Sequence, residues 1–172
     1  MKDLYEDISG RVWRLGNHVN TDLLSPPSCF SLDEVGMKDG LRQGMERLKS
    51  NLKGDYSREG LVIVAGENFG CGSSRETSVR ALPSSGVRAV VAKSFARIFY
   101  RSLINLGIPP LECKGIQDLV QDGDLIRISI KEGWVELSDE KRFSVSPFDP
   151  HVKRILECGG LISYLEKEQD GV

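Results

Sequence analysis

Ser73, Ser74 and Arg75 are the residues in this chain best placed to do chemistry. They close the segment Gly66-Glu67-Asn68-Phe69-Gly70-Cys71-Gly72-Ser73-Ser74-Arg75-Glu76. Two hydroxyls beside a guanidinium, just after three glycines, suit an anion. Arg75 offers a planar fork that matches a carboxylate or phosphate. A glycine loop leading into a helix adds free N–H groups and the positive end of the helix dipole. The plain alternative is a tight turn whose serine only caps a helix. Three sharper readings fail on residue type. A phosphate-binding P-loop needs Gly-Lys-Ser/Thr, and no lysine stands between Leu61 and Lys93. A dinucleotide fingerprint needs a glycine where Arg75 stands. A nucleophile elbow needs glycines on both sides of the serine, and Glu76 follows Ser74 across Arg75.

The elements that position this loop are legible on both sides. Leu61 to Ala65 is a short apolar run between Gly60 and Gly66, the pattern of a strand buried on both faces. Thr77 to Leu82 reads as helix, stopped or kinked at Pro83. Gly86 opens a second apolar strand, Val87 to Ala92. Ser94 is placed to cap the next helix, whose apolar stripe is Phe95, Ile98, Phe99, Leu103 and Leu106, closed by Gly107. Strand, helix, strand and helix in succession predict a parallel pair with a right-handed crossover. Arg97 and Arg101 fall off the stripe, on a solvated face or against a partner or substrate.

Upstream, Gly10 to Leu15 reads as a first strand. Asn17 to Asp22 is a polar turn in which Asn20 and Asp22 hold the backbone. Pro26 and Pro27 stiffen a loop ending in Ser28, Cys29, Phe30 and Ser31. Leu41, Met45, Leu48 and Leu52 give one face of a helix ended by Gly54. Downstream, Leu125 to Ile130, Trp134 to Leu137 and Arg142 to Val145 read as an antiparallel meander. Asp149 then caps a helix with Pro150 in its first turn, ended by Gly159 and Gly160.

Bulk properties narrow the function classes. The chain has 172 residues, 40% hydrophobic and 28% charged, with a formal net charge of −2. That suits one domain with a real core. No basic run suggests a nucleic-acid face, and no apolar stretch approaches the ~20 residues of a membrane span. Met1-Lys2-Asp3 leads into acidic residues, so a cytoplasmic chain is expected. Cys29, Cys71, Cys113 and Cys158 lie far apart, and His18 and His151 show no ligand spacing. Free thiols and no metal held by this chain alone are the expectation.

The segment 66–76 resembles the signature of the aconitase superfamily's swivelling domain. The likeness continues through Val90-Val91-Ala92-Lys93-Ser94-Phe95-Ala96-Arg97-Ile98-Phe99-Tyr100-Arg101 and Asn105-Leu106-Gly107-Ile108-Pro109. It takes in Asn20-Thr21-Asp22 and Gly159-Gly160-Leu161-Ile162-Ser163-Tyr164-Leu165. It therefore covers nearly the whole chain and implies one α/β swivelling domain over 1–172, a barrel-like mixed sheet flanked by helices. A substrate-selecting loop is implied at about 23–35 and an active-site loop at 66–76.

The family moves a hydroxyl between neighbouring carbons of a hydroxy acid by dehydration and rehydration. The resemblance implies a small subunit whose partner, a large iron–sulfur subunit, carries the 4Fe–4S cluster that acts as Lewis acid. Ser73 matches the family's catalytic serine, acting as an alkoxide base, and Arg75 matches a carboxylate-binding arginine. Ser74 shares the loop as a substrate contact or a cap. Glu76 is expected to be electrostatic or structural, and Thr77 stands where relatives often carry histidine. Cys29, Phe30 and Ser31 are expected to contact the substrate's variable arm, where relatives often carry Tyr-Leu. This apolar, uncharged wall favours an alkyl-substituted malate, isopropylmalate first, with homoaconitate or a methylated malate as alternatives. A carboxylate-binding regulatory module without turnover, and a homo-oligomer of the isolated chain, are the remaining readings.

Overall fold

The computed structural model describes residues 7–24, 34–47, 60–72 and 76–170. Its frame is a seven-stranded sheet among those residues, built from β1 (Ile8–Arg14), β2 (Leu61–Ala65), β3 (Val87–Ala92), β4 (Pro110–Glu112), β5 (Leu125–Ser129), β6 (Trp134–Glu136) and β7 (Arg142–Ser144). The spatial order is β4-β3-β2-β1-β5-β6-β7. β1 to β4 run parallel and β5 to β7 are antiparallel, with β1 joining the halves. The helices are α1 (Thr21–Leu24), α2 (Glu34–Arg47), α3 (Glu76–Ser84), α4 (Arg97–Asn105), α5 (Pro150–Glu157) and α6 (Leu161–Asp170).

The period-two alternation of the strands divides the core in two. Leu61, Ile63 and Ala65 face one cluster with Trp13, Phe69, Leu82, Phe99 and Leu103. Val62 and Val64 face the other, with Val12, Leu111, Ile116, Ile126, Ile128 and Val135. Both faces of β2 are therefore covered, which is why it reads as an unbroken apolar run. β3 keeps its pairing with β2 only by a register shift: Leu61 pairs Val87 but Val62 pairs Ala89. Arg88 is the extra residue of this bulge, and its Nη1 donates to the Ser9 carbonyl at 3.4 Å.

β2 and β3 fall on the predicted spans, and the parallel pair joined by α3 is present. The three-stranded meander is present, with Ile126 and Ile128 buried. Asp149 caps α5 by accepting from the His151 N–H at 2.8 Å, with Pro150 in the first turn. Gly159 and Gly160 take φ of 85° and 125°, ending α5 before a further helix, α6. Gly107, with φ 71°, closes α4.

Four local expectations are corrected. Ser94 does not cap α4. The N-cap is Ala96, without a side-chain bond, because Phe95 bridges to Phe69 and keeps the backbone extended through Ala96. Ile98, expected inside, is 62% exposed, and Ile104 at 6% takes its place. α3 continues through Pro83 and ends at Ser84. α2 begins at Glu34, seven residues before Leu41, despite Gly36, Gly40 and Gly44. These glycines recur every four residues. A Cβ at Gly44 would collide with the Leu24 carbonyl, so glycine here buys close packing against α1 instead of marking a break. Leu48, Leu52 and Gly54 lie outside the described residues.

Candidate active site

Parallel strands put their carboxyl ends on one edge, and the segments leaving those ends meet there. Residues 15–20 leave β1, 66–72 leave β2 and 93–96 leave β3. Backbone bonds stitch the three together. Gly66 N donates to Gly16 O at 3.0 Å, His18 N to Glu67 O at 2.7 Å, and Gly70 N to Val19 O at 3.0 Å. On the other flank, Phe69 N donates to Ser94 O at 3.0 Å and Ala96 N to Phe69 O at 2.9 Å. The middle loop is thus held as a short extra strand, with bridges Asn20–Cys71 and Phe69–Phe95.

Side chains complete the clamp. Asn17 Oδ1 accepts from Glu67 N at 2.9 Å, and Ser94 Oγ accepts from Asn68 N at 2.9 Å. The Cys71 thiol donates to the His18 carbonyl at 3.2 Å. Phe69 is fully buried, with edge-on contacts to Phe95 at 6.3 Å and Phe99 at 5.1 Å between ring centroids. Two of the loop's glycines are needed for space as well as conformation. Gly70, at φ 80°, lies against the Phe99 ring, and a Cβ on Gly72, at φ 107°, would stand 2.5 Å from the Asn20 amide.

Asn20 caps α1: its Oδ1 accepts from the Asp22 N–H at 2.9 Å and from the Thr21 hydroxyl at 3.3 Å. The structural role expected of Asn20 is therefore present. Asp22 differs, because its Oδ1 is buried without a hydrogen-bond partner. Buried polar atoms are nearly always satisfied, so an open carboxylate oxygen next to a candidate site asks for a donor. His18 and Asn68 also stand out. Both hold positive φ, 53° and 52°, and His18 Nδ1 lies 3.5 Å from Asn68 Nδ2. Left-handed non-glycine residues cost energy and gather at functional sites. Residue type alone gave no sign of this for His18. For Asp22 the position in a polar turn was visible, but not the unpartnered oxygen.

Cations near the loop are few among the described residues. Lys93 Nζ is 3.5 Å from Asp118 Oδ2, with the acid side mostly exposed. Ser73, Ser74 and Arg75 lie outside the described residues, between Gly72 and Glu76 at the start of α3. Cys29, Phe30 and Ser31 also lie outside them, after α1. Among the described residues no three His, Cys, Asp or Glu side chains converge as metal ligands. Cys71, Cys113 and Cys158 are free thiols, and burial pushes the Cys113 thiol up to about 11. No helix among the described residues is long and apolar enough to cross a membrane.

The chain belongs to the aconitase C-terminal domain family, whose pattern residues 34–115 match. Its relatives extend the likeness over nearly the whole length. The 3-isopropylmalate dehydratase small subunit 1 of Methanopyrus kandleri is 40% identical, over 94% of each chain. The methanogen homoaconitase small subunit of Methanothermobacter thermautotrophicus is 41% identical, over 95% of this chain and 93% of its own. The crystal structure of 3-isopropylmalate dehydratase from Methanocaldococcus jannaschii superposes with a TM-score of 0.82 at 36% identity, covering 95% of this chain and 96% of that one. The mixed α/β swivelling fold is thereby established, as expected from the loop motif.

Proposed function

We propose that this chain is the small subunit of a two-subunit hydro-lyase of the 3-isopropylmalate dehydratase type, working in leucine biosynthesis. The observation that supports it best is that segments from β1 and β3 clamp the 66–72 loop, which leads into Ser73, in a chain that matches such small subunits over nearly its whole length. A cytoplasmic location accords with this role.

In this reading the large subunit's 4Fe–4S cluster supplies the Lewis acid that labilises the substrate hydroxyl. The scattered thiols of the described residues do not fit a cluster site, so this chain contributes other groups. Ser73 takes the carbon-bound proton. An alkoxide is very unfavourable in water and needs oriented N–H groups and nearby cations to exist. Arg75 holds a substrate carboxylate through two parallel bonds, and Ser74 adds a hydroxyl contact or caps α3. Asp22 presents its open oxygen as an acceptor, either to the substrate hydroxyl or to a donor that orients Ser73. Cys29, Phe30 and Ser31 form the wall that receives the substrate's variable arm. An apolar wall accepts an isopropyl group, whereas a longer polyacid would need a cation there to offset desolvation.

A second reading, a homoaconitase small subunit, is favoured by the 41% identity of the methanogen relative, as high as that of the dehydratase relatives. The ratio of kcat/KM for isopropylmalate and homoaconitate, measured on the reconstituted two-subunit complex, separates the two. The site itself is tested by Ser73→Ala. It should fold normally, since a lost cap costs only ~1 kcal/mol. Turnover in the complex should fall at least ~100-fold, the usual contribution of a positioned base. Near-normal turnover would remove Ser73 from the role of base.

A further inference from the structure

A cleft of about 220 Å³ opens on the outer side of α4, lined by Phe95, Arg97, Tyr100, Arg101 and Glu112. It is smaller than the ~300–1,000 Å³ of drug-sized sites, so it suits a small molecule. Its charges are unusual. Arg97 and Arg101 stand one helical turn apart and are exposed, and neither forms an ion pair within the described residues. Like charges at this spacing oppose each other on a helix, so the pair is a standing cost that an anion would relieve. The start of α4 adds to the field: its N-cap is Ala96, which has no polar side chain to satisfy the first N–H groups. On the facing strand end, Glu112 is exposed; burial first, and then the Glu112 charge, holds the Tyr100 phenol above its ordinary value. Phe95 and Tyr100 meet edge-on, ring centroids 5.7 Å apart, and supply an apolar floor.

We propose that this cleft is a second ligand site, for a small carboxylate that carries a hydroxyl or ammonium on the neighbouring carbon and a short apolar arm. The two guanidinium groups take the carboxylate. Glu112 accepts from the hydroxyl or ammonium, and the apolar arm lies on Phe95 and Tyr100. An inorganic anion or a dicarboxylate gains less, because one of its charges must face Glu112. The site also has a mechanical link to the glycine loop. Phe95 lies between the cleft and Phe69, and Ala96 N bonds the Phe69 carbonyl. A ligand that fixes Phe95 therefore stiffens the loop's buried anchor.

The proposal is independent of the dehydratase reading, and its test needs no turnover. The full-length chain carrying Arg75→Gln, which silences carboxylate binding at the loop, is labelled with 15N. It is titrated with 2-hydroxyisovalerate, valine and isovalerate while amide shifts are followed. Saturable shifts are expected at residues 95–101 and 112, with isovalerate weakest because it lacks the donor. Arg101→Gln and Arg97→Gln, both at exposed positions, should each weaken binding at least ~10-fold. Glu112→Gln should erase the preference for the hydroxy and amino acids over isovalerate. Absence of saturable shifts at these residues, or shifts unchanged by both arginine variants, overturns the proposal. So does failure of all three acids combined with weaker association of Arg101→Gln with the large subunit, which would make the cleft a subunit contact.

Discussion

Replacing Gly70 with alanine should loosen the whole strand-end platform, and the structure supplies the size of the effect. Gly70 sits at φ 80°, where an L side chain costs ~1–2 kcal/mol. Its new Cβ would meet the near side of the Phe99 ring, not a flexible tip. Phe99 is 3% exposed and wedged against Phe69, so it has little room to yield. Overpacking of this kind costs a further ~1–3 kcal/mol. Alanine also restricts the unfolded chain, which returns ~0.4–1 kcal/mol. The net loss is therefore about 1.5–4 kcal/mol. Two glycines separate the contributions. Gly159 has a similar φ of 85° but open space around its Cβ, and Gly16 has open space without the positive φ. Urea unfolding of the three alanine variants should rank Gly70 as most damaging, Gly159 as mild and Gly16 as neutral or slightly stabilised. The Gly70 variant should exceed the Gly159 variant by at least ~1 kcal/mol, the lower bound of the overpacking cost. Equal losses at Gly70 and Gly159 would refute the argument, because the Phe99 contact would then cost nothing.

Three further outcomes follow from single features. Arg75→Lys should raise KM at least as clearly as it lowers kcat in the reconstituted complex, since lysine keeps the charge but loses the fork; unchanged constants would make Arg75 structural. Asp149→Ala should destabilise the chain by ~1 kcal/mol in urea unfolding by removing the cap of α5, and Asp149→Asn should largely restore it. The Cys113 thiol, raised to about 11 by burial, keeps its proton longer in the folded chain than in the unfolded one. Stability from this group is complete below the unfolded pKa of ~8.5 and falls as pH rises from there toward 11, a slope that Cys113→Ala should remove.

What the sequence disclosed depended on whether one force dominated a segment. β2 and β3 are covered on both faces, so their apolar runs set their limits with no competing signal. The α5 cap was legible because Asp149-Pro150 needs no tertiary help. α4 was misjudged at its start because tertiary pairing won over local preference. Ser94 is a good cap residue, but the Phe69–Phe95 bridge holds the chain extended for two more residues and turns Ser94 toward Asn68. The inner face keeps Phe99 and Leu103 of the expected stripe but carries Ile104 in place of Ile98. In α2 the stripe from Leu41 showed only part of the helix, and the helix packs closely enough on α1 that a Cβ at Gly44 would meet the Leu24 carbonyl. The family motif named the loop and its chemistry, but spacing could not show that Asp22 keeps an open oxygen or that His18 and Asn68 are held left-handed.

The displaced cap residue and the features that spacing did not show share a location, and that location bears on function. Ser94, Asn68, His18 and Asp22 all belong to segments that leave β1, β2 or β3. Each departs from a local rule: a cap residue that serves the neighbouring loop, two non-glycine residues at positive φ, and a carboxylate with a buried, unpartnered oxygen. Departures from local consistency are expected where a fold keeps geometry for a ligand at the expense of stability. The same signs occur singly elsewhere, at Glu140 (φ 64°) in the β6–β7 turn, at Trp13 Nε1 in β1 and at Glu157 Oε1 in α5. The strand-end platform is where two of the three described non-glycine residues at positive φ fall together with an unpartnered carboxylate oxygen. Asp22→Asn tests that view directly. An amide removes the charge of a buried, unpartnered oxygen, so the isolated chain should unfold no more easily than the parent. The reconstituted complex should nonetheless lose at least ~10-fold in kcat/KM if that oxygen serves the reaction. A variant that is destabilised yet fully active would place Asp22 among the structural residues of α1 and leave the loop's chemistry to Ser73 and Arg75.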